Sequence, residues 1–181
     1  MKLADEVKLA MQTFMKMKSS VCESNKGPQD LAPMLHFKYS HLKGYCGVLL
    51  AGGHPLQTIP VAWEHIIRDG VPEFVMVMTE AYASTHEKND PAPNYRKGQM
   101  EEDFKNNPCS DVMEIINVHG INIKTGEQYS GMVAFHYDDN GQPVFDEPDY
   151  NKCTGEALKA NIPALFAACR HATLVLQKKA I

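Results

Sequence analysis

Leu3, Val7, Ala10, Met11, Phe14, Met17 and Val21 recur at intervals of three and four, and Lys8, Gln12, Lys16 and Lys18 fall on the remaining faces. One apolar stripe of this kind predicts an amphipathic helix over residues ~2 to 19. Gly27-Pro28 ends that unit. Met34 to Ser40 and Tyr45 to Ala51 then read as two short strands joined by His41-Leu42-Lys43-Gly44, a hairpin. Gly52-Gly53-His54-Pro55 breaks the chain again, after which Leu56, Ile59, Val61, Trp63, Ile66 and Ile67 form the core face of a second helix. Pro60 marks its regular start and Asp69-Gly70 its close.

Phe74 to Ser84 carries Val75, Met76, Val77 and Met78 in succession, the pattern of a central strand covered on both faces. Residues 112 to 123 and 128 to 137 flank a Lys124-Thr125-Gly126-Glu127 turn. A second turn at Asp138-Asp139-Asn140-Gly141 leads into Gln142 to Phe145, which completes a three-strand meander. From about Pro163, a good first helical residue, Leu165, Phe166, Cys169, Ala172, Val175 and Leu176 outline a last amphipathic helix. Strands and helices do not alternate regularly and no segment repeats, which argues against a doubly wound parallel sheet. The expected architecture is a single α+β domain over residues 1–181. It has a mostly antiparallel sheet (hairpin, central strand and meander) with amphipathic helices packed largely on one face.

Charge narrows the partners. Eighteen Lys and Arg against twenty-two Asp and Glu give a net charge of −4, so no overall positive field favours nucleic acid. No apolar run approaches the ~20 residues of a membrane span, and the amino terminus lacks the basic-then-apolar layout of a secretory signal. The expectation is a cytoplasmic protein that engages neither membrane nor nucleic acid. The five cysteines, Cys22, Cys46, Cys109, Cys153 and Cys169, are odd in number and widely spaced, which fits reduced thiols rather than a disulfide framework or zinc knuckle. Eight histidines form no recognisable ligand motif. A two-residue turn at Thr125-Gly126 would pair His119 with Met132 and Ile115 with His136. The two histidines would then share a face about four positions apart, on the order of 13 Å at ~3.3 Å per residue, too far for one zinc. No metal or cofactor is expected.

Glu80 is the most informative polar residue. It continues the alternation Phe74, Met76, Met78 and is followed on that face by Tyr82. A carboxylate there is either a hydrogen-bonded structural staple or a group held for use, since burying it without compensation costs several kcal/mol. The polar stretch His86 to Asp111 exceeds an ordinary connection. Within it Tyr95, Arg96 and Lys97 suit an anionic or planar ligand, and a solvated insertion is the plainer reading. Asn117 and His119, among Ile115, Ile121 and Ile123, either line a polar pocket or face solvent at the sheet margin. Nucleophile elbows, phosphate loops and Rossmann glycines are missing. Gly52-Gly53-His54-Pro55 reads as a turn before it reads as an anion cradle.

Thr79-Glu80-Ala81-Tyr82 at the end of an apolar strand, a polar excursion with Asn107-Pro108, then Asp111-Val112-Met113-Glu114-Ile115-Ile116 and a Thr125-Gly126 turn resemble a group of uncharacterised short proteins of bacteria and their phages. The likeness spans about residues 56 to 145, and Tyr82 stands where that group carries Trp. The resemblance implies a phage or mobile-element origin and no particular activity. Two functions follow from the residues. The first is a non-enzymatic binding module, with a homo-oligomer possible, that holds a small ligand, anionic or nucleotide-like, or a protein partner through Glu80, Tyr82, Tyr95, Arg96, Lys97, Asn117 and His119. The alternative is a metal-independent acid-base hydrolase or lyase using Glu80 with His119 or His136.

Overall fold

The structure is a computed structural model that describes residues 2–41, 45–49, 59–84, 102, 106, 112–154 and 161–179, apart from the side chains of 45, 46, 48, 49, 84, 161–164 and 179. Its described elements are α1 (Leu3–Asn25), β1 (Met34–Lys38), β2 (Tyr45–Leu49), α2 (Ile59–Asp69), β3 (Phe74–Ser84), β4 (Val112–Asn122), β5 (Gln128–Tyr137), β6 (Pro143–Phe145), β7 (Asp149–Lys152) and α3 (Asn161–Lys179). The strands form one antiparallel sheet in the order β2-β1-β3-β4-β5-β6, with β7 also on β5. The protein is therefore α+β, and hairpin and meander share a sheet.

Helix α1 runs farther than its apolar spacing predicts. Cys22 extends the buried stripe by a turn, and Lys26 in the left-handed conformation (φ 55°) then closes the helix by donating its N–H to the Cys22 and Glu23 carbonyls. At the other end Asp5 and Glu6 lie in the first turn, where the helix dipole favours negative charge.

The apolar run of β3 is sorted by strand alternation. Phe74, Met76 and Met78 pack with Leu3, Val7, Met11 and Phe14 of α1. Val75 and Val77 face the other way, onto Ala62 and Ile66 of α2 and Leu165, Phe166, Cys169 and Ala172 of α3. Two of the three described helices thus share a face, and the longest covers the opposite one. The sheet is buried on both sides, which explains the unbroken run of large apolar residues in β3. α1 lies close against β4 at Gly120, where an added Cβ would come within 2.9 Å of the Val7 side chain.

The β4–β5 connection corrects the expected register. His119 pairs with Ser130 and Ile115 with Ala134, because the loop holds four residues, closed by Gly126 N–H to the Asn122 carbonyl at 2.8 Å and Asn122 N–H to the Glu127 carbonyl at 2.9 Å. The slip is two residues, so every side chain keeps its face. Gly126 makes this loop possible with φ +76°, and a Cβ there would also lie 2.4 Å from Arg170 Nη1. Gly126→Ala should therefore lower stability by about 1–2 kcal/mol in urea unfolding, through the left-handed backbone and the displaced guanidinium. An unchanged midpoint would refute that conformation.

Strand β7 has no counterpart in the sequence expectations. Asp149-Tyr150-Asn151-Lys152 lacks apolar alternation; it pairs with residues 129–132 of β5, and Tyr150 packs against the core that α1 covers.

Candidate functional site

Pairing between β1 and β3 ends at Met34↔Met78, and the chain before β1 peels away from the sheet. Glu80, two residues farther along β3, therefore meets a loop on one side instead of a strand. Its Oε1 accepts the Leu31 N–H at 3.1 Å and its Oε2 accepts the Lys18 ammonium at 2.8 Å. Lys18 Nζ also donates to the Gln29 carbonyl. It lies 5.0 Å from the centre of the Phe135 ring and 5.4 Å from that of Tyr137, a cation over two aromatic faces. The Lys18 side chain is wholly buried and that of Glu80 is 12% exposed.

Glu80 is thus a staple between α1, the 29–31 loop and β3. Burial raises its pKa above the ordinary carboxylate value, Lys18 and the Leu31 N–H oppose that rise, and Asp30 adds to it. Burial alone would lower the Lys18 pKa, but its contacts with Glu80 and Tyr137 outweigh burial and hold it above the ordinary value. On acidification the carboxyl is the member of the pair that takes up a proton.

Beside the staple, Asp30, Pro33, Glu80, Tyr82, Glu114 and Phe135 line a cavity of about 210 Å³. Tyr82 pairs across the strands with Glu114, so both lie on the Glu80 face. Asp30 stands at the mouth, its side chain 89% exposed and one oxygen 4.0 Å from Lys18 Nζ. Among the described residues, three carboxylates border the cavity, and the one ammonium beside them, that of Lys18, is buried.

Asn117 and His119 lie elsewhere. Asn117 pairs with Thr79 and His119 with Val77, which puts both on the sheet face opposite Glu80 and Tyr82. That face is no solvent margin here: Ile115, His119, Ile121 and Ile123 are buried, and Phe166 of α3 meets the His119 ring edge-on at 5.5 Å. Burial holds the His119 pKa below the ordinary histidine value. The pair that an acid-base reading needs, Glu80 with His119, is not formed. His136 is exposed. Continuing the observed register sets it opposite Met113, six positions from His119 rather than four (119 − 113 = 6). Tyr95, Arg96 and Lys97, like nearly all of the His86 to Asp111 excursion and Gly52-Gly53-His54-Pro55, lie outside the described residues.

Sequence reasoning assigned Lys18 to a polar face, yet Met11, Phe14, Lys18 and Cys22 follow one another at helical spacing and all are buried. A lysine inside that stripe was the signal for a buried partner to Glu80. Asp30, Glu114 and Phe135 carried no such mark, because only the register brings them to Glu80. Among the described residues no group of three or more His, Cys, Asp or Glu could hold a metal ion, and no helix is long and apolar enough to cross a membrane. The described thiols Cys22, Cys153 and Cys169 are free. No protein-family model, curated protein or solved structure matches the chain.

Proposed function

We propose that the protein is a small-molecule binding module whose site is the cavity between the 29–33 loop and the Glu80 end of β3 and β4. The observation that carries this reading is the cavity's lining. Asp30, Glu80 and Glu114 converge with Tyr82 and Phe135 around about 210 Å³, a few polar groups fixed on an aromatic wall. The Lys18–Glu80 pair keeps the floor in place without filling the space. The carboxylates of Asp30, Glu80 and Glu114 in this lining favour a small organic cation, a primary amine or guanidinium, over the anionic ligand that Tyr95, Arg96 and Lys97 suggest from the sequence. The aromatic wall adds attraction for the same class of ligand.

Calorimetric titration with 1,4-diaminobutane and, in parallel, with benzoate tests the reading. The amine should bind saturably, weaken about tenfold or more in Glu114→Gln, and lose affinity as salt rises. Benzoate should not bind. Binding of benzoate in place of the amine, or amine binding indifferent to Glu114→Gln, would overturn the assignment.

A further inference from the structure

On the opposite face of the sheet, a thiol and an imidazole meet. Cys153 directly follows β7, and its backbone N–H donates to the Gln128 carbonyl at 3.0 Å. Its Sγ then lies 3.2 Å from His119 Nε2. Cys22 and Cys169 are buried, whereas Cys153 is partly exposed and His119 behind it is 8% exposed. Gln128 completes the group. Its Oε1 is buried with no hydrogen-bond partner, and its carboxamide favours the protonated imidazole.

We propose that Cys153 and His119 form a thiol nucleophile site that accepts acyl groups from esters or thioesters, with Gln128 as a positioning residue for the imidazole. Sγ attacks the carbonyl carbon and a C–S bond forms. The thiol proton passes to His119 Nε2, the bond from carbonyl carbon to the leaving oxygen or sulfur breaks, and the imidazolium returns the proton to the leaving group. The products are S-acyl Cys153 and a free alcohol or thiol. Water then gives a proton to the same ring and adds to the acyl carbon, the C–S bond breaks, and the ring's proton passes to the sulfur, which releases the carboxylic acid and restores the thiol.

Three observations fit this chemistry. The sulfur and ring nitrogen are within proton-transfer reach. Burial lowers the His119 pKa and the Gln128 hydrogen bond opposes it, so burial favours the neutral ring, the form that can accept the thiol proton. The Gln128 side chain acts on His119 as a hydrogen-bond partner that favours imidazolium, and an acceptor on the ring's other N–H leaves Nε2 free to take the thiol proton. The site is independent of the Glu80 cavity, which lies across the sheet.

The test is acetylation of the full chain by 4-nitrophenyl acetate near neutral pH, followed by nitrophenolate release and by mapping of the acetyl group. Cys153 should be acetylated at least about tenfold faster than glutathione at the same pH. The reaction should vanish in Cys153→Ala and slow about tenfold or more in a folded His119→Asn. Gln128→Leu should move the inflection of the pH profile to lower pH, because the lost oxygen stabilised imidazolium, whereas a purely structural role would leave the inflection in place. Acetylation of wild-type Cys153 no faster than of glutathione, or an acetyl group on another residue, would overturn the proposal without recourse to any variant.

Discussion

Replacing Lys18 with Met is expected to cost the fold about 3–5 kcal/mol, because it removes one member of a buried ion pair and leaves the other behind. Met matches the stem of Lys18 in length and volume, so little packing is lost and the deficit reports the charge. Glu80 keeps the Leu31 N–H but loses the ammonium at 2.8 Å. The larger of the two influences that oppose its raised pKa is then gone, and the carboxyl rises further. The sign of the pH dependence follows. A carboxyl whose folded pKa lies above its unfolded value holds the folded state best when protonated, below the unfolded value, and loses that contribution as pH rises through the folded value. The stability gap between wild type and Lys18→Met should therefore be wider at about pH 8 than at about pH 5. Urea unfolding at both pH values measures it. Lys18→Met with Glu80→Leu should recover much of the loss, since an apolar pair can replace a buried ionic one. A single variant within about 1 kcal/mol of wild type would show that water reaches the pair.

Phe14→Ala should be as damaging, about 3–5 kcal/mol in the same measurement. Phe14 is fully buried in the cluster that α1 forms with Phe74, Met76, Met78, Ile116, Val118, Val133 and Phe135. α1 is the one described helix on that face, so the cavity left by the ring has no second helix to close over it. Leu9→Ala, on the same helix but 49% exposed, should change stability by no more than about 0.5 kcal/mol. Equal effects at the two positions would mean that α1 is not packed in the register described.

Much of the fold was legible because burial writes a period into the chain. The α1 stripe and the dense run of β3 each carry a local cue and became the elements they predicted, whereas the Gly126 cue placed a turn without fixing its length. The division of helices between faces was not legible, since an amphipathic stripe states that a face is buried but not against which side of a sheet. β7 escaped for a different reason. Of its four residues Tyr150 joins the core, and one aromatic between polar neighbours sets no period. The site followed the same division. Glu80 announced itself as a carboxylate in an apolar alternation, while Glu114, Asp30 and Cys153 are brought to their partners by strand register and loop path alone. Lys18 was legible as well, because its spacing from Met11 and Phe14 places it inside the buried stripe.

The outer border of β5 is covered in two pieces. β6 takes residues 135–137, β7 takes residues 129–132, and between them the Asp146 N–H donates to the Ala134 carbonyl at 2.9 Å. The strands left outermost are three and four residues long. They include Pro143, which has no N–H to offer, and Lys152, whose ammonium is paired with Glu127 at 2.9 Å. Such a border gives another polypeptide no continuous ladder to copy. It acts as a safeguard against edge-to-edge aggregation, so the sheet resists runaway growth on this side even at the high concentrations at which an open ten-residue strand would recruit its neighbours.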